Sequence, residues 1–63
     1  MGAYILYVRD DRYATPTLLT AECRDDDDAR AFARRHLQSS AHYIAVEIWD
    51  DERRVDQLTL DQA

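Results

Sequence analysis

Apolar and polar residues alternate along four short stretches of the chain, a pattern that predicts four β-strands. The strands are expected at about Ala3–Arg9, Thr17–Cys23, His42–Trp49 and Arg54–Leu60. The last three residues should be frayed. Because Pro16 has no backbone N–H, the second strand should either lie at a sheet edge or begin after this proline.

One stretch has the spacing of an amphipathic helix, which should run from the acidic run Asp25–Asp28 to about Ser39. Its apolar stripe falls at successive turns on one side: Ala29, Phe32, Ala33, His36 and Leu37.

The acidic run is interpreted as a helix start and not as a metal site. Asp25 can cap the first free backbone amides, and the other carboxylates lie at the positive end of the helix dipole. Asp26 and Asp27 are also within helical reach of Arg30. Adjacent helical side chains diverge by about 100°, so the four carboxylates cannot converge on one ion.

These elements predict one α+β domain over residues 1–63, with the order ββαββ. The apolar first and third strands should be central in a four-stranded antiparallel sheet of order 2-1-3-4, with the helix packed on one face. The second strand, the helix and the third strand form a split βαβ unit, for which we expect a right-handed crossover.

One helix can cover only one face of this sheet. The covered face should hold Tyr4, Leu6, Val8, Ile44, Val46 and Ile48. The opposite face then carries a set that we call the predicted contact surface: Ile5, Tyr7, Tyr43, Ala45 and Trp49. Alternation places Leu18, Thr20 and Glu22 opposite the Cys23 side of the second strand. Tyrosine and tryptophan are common interface anchors, although long polar side chains could also shield them in a monomer.

The composition of the chain excludes several classes of function. The 63 residues carry a net charge of −5, and all eight basic residues are arginine. A basic stripe for nucleic acid is absent from the sequence, and without lysine there is no amine nucleophile. Cys23 is the only cysteine, which rules out an internal disulfide. A domain this small is commonly stabilised by oligomerisation when disulfides and metals are missing.

Cys23, His36 and His42 are the only candidates for a nucleophile and its base, and the only soft or imidazole metal ligands. Alternation places Cys23 beside Leu19 and Ala21, where a buried inert thiol is usual. We therefore predict no enzyme, no structural metal and no cofactor. Three helix arginines could bind an anion or stay solvated and paired with carboxylates, the second being favoured: Arg30, Arg34 and Arg35.

Neither a targeting signal nor a stretch of about 20 apolar residues is visible in the sequence, so no membrane partner is expected. A lone thiol favours the cytoplasm.

Three segments resemble a family of short bacterial ββαββ proteins known as a domain of unknown function. The segments are Tyr4–Asp10 (Tyr-Ile-Leu-Tyr-Val-Arg-Asp), Asp28–Ala31 (Asp-Ala-Arg-Ala) and Glu47–Arg53 (Glu-Ile-Trp-Asp-Asp-Glu-Arg). The chain differs at its last turn, where such proteins often carry a glycine and this one has Glu52 and Arg53. The resemblance implies an architecture and no activity.

The sequence thus predicts a non-catalytic protein–protein interaction domain, homodimeric through the predicted contact surface or an edge strand. The alternative is a monomeric module that binds a small apolar or aromatic ligand on the same face.

Overall fold

The computed structural model describes residues 2–59 of the chain. It contains the strands β1 (Gly2–Asp10), β2 (Thr17–Cys23), β3 (Tyr43–Asp50) and β4 (Arg53–Thr59), and the helix α1 (Asp26–Gln38). The ββαββ order and the α+β class are confirmed. Leu60 and the expected frayed end lie outside the described residues.

The four strands form one antiparallel sheet in the order β2-β1-β3-β4, as predicted. The strands richest in apolar residues occupy its middle because both of their faces carry side chains that gain from burial. The hand of the crossover through α1 stays a prediction.

Helix α1 begins as its sequence predicts. The Asp25 side chain accepts a hydrogen bond from the Asp28 N–H at 2.8 Å, and the Asp28 side chain accepts one from the Arg24 N–H at 3.0 Å. The bond from the Asp28 N–H satisfies a backbone donor that the helix start leaves free, and the bond from the Arg24 N–H fixes the chain that enters the helix. At the other end, the Ser39 N–H and hydroxyl both donate to the His36 carbonyl, so the helix ends without a glycine cap.

The core lies between α1 and the facing side of the sheet. Leu6, Val8, Val46, Ile48 and Leu37 are its largest fully buried side chains. The small Ala29 and Ala33 are also fully buried, which lets the helix backbone approach the strands. Leu58 of β4 and Cys23 of β2 close the two sides of this cluster.

The predicted alternation of β3 is wrong at its first two residues. Arg9 pairs with Ala45 and Asp10 pairs with Tyr43, so Ile44 has no partner on β1 and forms a β-bulge. The extra residue reverses the faces before it. Ile44, expected in the core, is 39% exposed, whereas Tyr43 packs against the core beside α1.

A second irregularity lies in β4. Ile48 pairs with Asp56 and Trp49 pairs with Arg54, which leaves Val55 without a partner on β3. Val55 packs partly buried against the core. Arg54 consequently shares a face with Trp49, while Asp56 faces the helix and accepts a hydrogen bond from Arg30.

Candidate interaction surface

The face of the sheet opposite α1, which we call the open face, carries residues from all four strands. Cross-strand partners point to the same side, so the register defines its members: Ala3, Ile5, Tyr7 and Arg9 of β1, Leu18, Thr20 and Glu22 of β2, Ala45, Glu47 and Trp49 of β3, and Arg54, Gln57 and Thr59 of β4.

A concavity of about 460 Å³ lies on the open face. It is lined by Ile5, Tyr7, Arg9, Pro16, Ala45, Glu47, Trp49, Asp51 and Gln57. Four of the five residues of the predicted contact surface are therefore together. The fifth, Tyr43, is on the helix side because of the bulge, where its ring stacks on His36 with centroids 4.9 Å apart.

The apolar part of the open face runs across three strands. Ile5 lies opposite Trp49, and Tyr7 lies opposite Leu18 on one side and Glu47 on the other. Ala45 forms the floor with only 7% of its surface exposed, whereas Tyr7 and Leu18 are 39% and 56% exposed. Leu18 was missing from the predicted contact surface, although the alternation of β2 already placed it on this side.

The carboxylate in the middle of the open face is held by its neighbours. Glu47 accepts a hydrogen bond from the Trp49 indole N–H at 2.5 Å, and its other oxygen lies 3.7 Å from the Arg54 guanidinium. Arg54 also donates to Gln57. These contacts fix the indole ring and offset the charge of Glu47, which reduces the cost of covering this carboxylate.

Two charged residues at the rim of the concavity have no ion pair within the described residues. They are Arg9, next to Ala45, and Asp51, in the turn after β3. Asp51 has a φ of 58°, a left-handed conformation that aspartate tolerates better than most residues.

The acidic excess of the chain lies mostly away from the open face. Asp26 accepts hydrogen bonds from Arg53, at 2.9 and 3.0 Å, and from the Tyr4 hydroxyl at 2.8 Å. The bonds from Arg53 and Tyr4 lower the pKa of Asp26 to about 2, and the Asp26 bond raises the pKa of Tyr4 to about 12. This network ties the start of α1 to β1 and to the last hairpin, a role different from the predicted reach of Asp26 to Arg30. Asp27 does pair with Arg30, at 2.8 Å.

A second charged cluster joins the β1–β2 turn to the start of β3. Asp10 is 5% exposed, and the Arg12 guanidinium donates to both of its oxygens, which lowers the pKa of Asp10 to about 2. His42 lies 3.0 Å from Asp11, and the three groups Asp10, Asp11 and His42 are within 4.8 Å of one another. A cation bound there would compete with Arg12, so the cluster is best described as a structural ion-pair group.

The candidate catalytic residues are dispersed over the fold. Cys23 is 3% exposed, and burial raises the pKa of its thiol. His36 stacks between Phe32 and Tyr43, and His42 contacts Asp11. The absence of catalytic activity stays a prediction.

The three helix arginines have different surroundings. Arg30 is held by Asp27 and Asp56, whereas Arg34 and Arg35 are exposed on α1.

Comparison of the chain with protein-family models, with curated proteins and with solved structures finds no match. The resemblance to short bacterial ββαββ proteins therefore stays a prediction. Within residues 2–59, α1 is too short and too polar to cross a membrane.

Proposed function

We propose that this chain is a small non-catalytic interaction domain that forms a homodimer through the open face. The observation that carries the proposal is the clustering of Ile5, Tyr7, Ala45 and Trp49 in one concavity on the side of the sheet that α1 leaves uncovered. Interfaces favour aromatic anchors in the middle and charged residues at the rim. Arg9 and Asp51 lie at the rim here, whereas the central carboxylate of Glu47 is held by Trp49 and Arg54.

The size of the open face sets the expected affinity. Strands about 4.8 Å apart and about 3.3 Å per residue give a four-stranded face of roughly 20 by 23 Å. Protruding side chains add accessible surface to this flat area, so two such faces would bury roughly 1,000–1,200 Å² of accessible surface in total. This area is at the low end for specific interfaces. We therefore expect a reversible dimer with a Kd on the order of micromolar.

The distribution of charge also supports the open face as the dimer interface. The chain as a whole has a net charge of −5, which opposes association of two copies. The open face carries little of this charge, because Arg9 and Arg54 offset Glu47 and Asp51 and leave Glu22 of β2 as the one excess carboxylate. Two copies that meet there keep the strongly acidic start of α1 away from each other.

Edge pairing is the second route to a dimer. The β4 edge is bulged at Val55 and begins with Arg53 and Arg54, features that discourage strand addition. The β2 edge pairs regularly over its whole length and carries no charge before Glu22. An edge dimer would therefore use β2.

A small apolar or aromatic ligand is the alternative occupant of the open face. The concavity of about 460 Å³ lies within the usual range of about 300–1,000 Å³ for ligand pockets. In that case the fluorescent dye 1-anilinonaphthalene-8-sulfonate would bind a monomer stoichiometrically and would lose binding in Trp49→Ser. We place either module in the cytoplasm, an assignment supported by the lone buried thiol.

Light scattering on the native chain and on two variants tests the proposal. The native chain should change from monomer to dimer between micromolar and millimolar concentration, and Trp49→Ser should raise the Kd at least 30-fold, as expected for a central aromatic anchor. Tyr13→Ser is the matched control, since Tyr13 is 61% exposed but lies outside the concavity. A native monomer at all concentrations contradicts the homodimer, and a dimer that survives Trp49→Ser points to the β2 edge.

A further inference from the structure

The two unpaired charges that line the concavity, Arg9 and Asp51, lie at opposite ends of the open face. Glu22, which also has no ion pair among the described residues, lies on the edge strand β2 opposite Ala3. Arg9 is level with Ala45, and Asp51 lies six residues further along the same hairpin than Ala45. At about 3.3 Å per residue, the two charges are roughly 20 Å apart along the strand direction. Elsewhere on the open face, Arg54 and Glu47 are already in contact with each other.

A homodimer interface with two-fold symmetry places the same patch on both copies, so the direction of the axis decides which ends meet. An axis that lies in the interface along the strands would stack the Arg9 end on the Arg9 end and the Asp51 end on the Asp51 end. An axis that lies across the strands reverses the facing copy. The Arg9 end of each copy then lies over the Asp51 end of the other, and two opposite-charge pairs form.

The same axis also centres the apolar residues. The midpoint between Ala45 and Asp51 falls at the level of Ile48, between Glu47 and Trp49 on the open face. Tyr7 and Ile5 are the β1 neighbours at those two levels. The axis across the strands therefore puts the aromatic anchors in the middle and the unpaired charges at the rim.

We infer that the second copy packs on the open face with its strands reversed, so that Arg9 of each copy pairs with Asp51 of the other. This inference rests on the proposed function and adds the orientation of the partner and the residues that select it. Opposite charges at an interface rim act mainly through specificity and association rate, and they are sensitive to salt.

Charge-reversal substitutions distinguish the pairing of Arg9 with Asp51 from the general repulsion between two negatively charged copies. Arg9→Asp makes the net charge more negative by two units, and Asp51→Arg makes it less negative by two units, from −5. General repulsion alone predicts a weaker dimer for the first variant and a tighter dimer for the second. The reversed orientation predicts that both weaken it, each by about tenfold because two symmetric pairs are lost and replaced by repulsion.

The double variant with both reversals is the decisive sample. Its pairs are restored with exchanged signs, so its Kd should return to within about threefold of the native value. Asp51→Arg places arginine at a φ of 58°, which strains the backbone. The double variant has the same strain, so the strain cancels when the Kd of Asp51→Arg is compared with that of the double variant. Asp51→Asn gives a second measure that keeps this backbone conformation, and it should weaken the dimer about threefold and reduce its salt dependence.

Arg35→Asp is the control for net charge, since Arg35 is exposed on α1 and far from the open face. Sedimentation equilibrium gives each Kd, and circular dichroism verifies that each variant is folded. In one outcome the native chain dimerises and Trp49→Ser dissociates it, while the double reversal raises the Kd more than either single reversal does. That result would show that the inferred orientation is wrong and that the open face is still the interface. If the native chain is monomeric, or if Trp49→Ser leaves the dimer intact, the proposed function itself is wrong.

Discussion

The bulge in β3 makes the free energy of unfolding respond very differently to the same substitution at two isoleucines. Ile44 and Ile48 belong to one strand and have the same parity, so simple alternation places both in the core. In the structure Ile48 is fully buried, whereas Ile44 is 39% exposed and has no partner on β1. Ile48→Ala and Ile44→Ala are therefore matched tests of the bulge.

The magnitudes follow from the carbons removed. Truncation to alanine deletes three carbons, which at about 0.8 kcal/mol each gives ~2.4 kcal/mol of lost transfer free energy for full burial. At Ile48 a closed cavity adds roughly 1–2 kcal/mol, so the cost should be about 3.5–4.5 kcal/mol. At Ile44 the exposed fraction and the lack of a closed cavity reduce it to about 1 kcal/mol.

Equilibrium unfolding in urea, followed by circular dichroism at one fixed protein concentration, measures both costs. A domain of 63 residues has a stability of roughly 3–9 kcal/mol, and at the lower end of this range Ile48→Ala is largely unfolded in water. Ile48→Val then supplies a milder test, with an expected cost of about 1 kcal/mol. Equal losses for Ile44→Ala and Ile48→Ala would refute the bulge and restore simple alternation along β3.

Three further outcomes follow from individual contacts. Asp25→Ala should lower the free energy of unfolding in urea by about 1 kcal/mol because α1 loses its cap, whereas Asp25→Asn should keep most of it. Hydrogen bonds from arginine lower the pKa of Asp10 and Asp26 from 3.8 to about 2. Their contribution to stability is therefore present above pH 3.8 and is lost as the pH falls through about 2, which an acid titration by circular dichroism should show and Asp26→Asn should make shallower. The thiol of Cys23 should react with Ellman's reagent slowly in the native protein and rapidly in urea, and fast native reaction would contradict its burial.

The pattern of the sequence was sufficient for the architecture because each element has a strong local signal. The acidic run before Ala29 caps a helix. The strands around Leu6 and Val46 are apolar on both faces, which favours central positions in the sheet. The same periodicity placed Ile5, Tyr7, Ala45 and Trp49 on one face, where the structure has them.

The errors come from events that periodicity does not encode. One extra residue in β3 exchanged Tyr43 and Ile44, and a bulge depends on the pairing partner more than on its own sequence. Long-range ion pairs were also missed, since Asp26 and Arg53 are 27 residues apart and meet only in the folded chain. The placement of Arg9 and Asp51 at opposite ends of one face was also not predictable from periodicity, because it depends on the register of the strands.

Trp49 allows dimerisation through the open face to be measured on the unmodified protein, because it is the only tryptophan of the chain and lies on the open face. Dilution from millimolar to submicromolar concentration, with mass and tryptophan emission recorded on the same samples, reports association and the burial of this face together. We predict that the mass halves and the emission shifts to longer wavelength with one common midpoint. A mass that halves while the emission stays constant would show that the dimer uses another surface, and a monomer throughout would show that the open face binds no second copy.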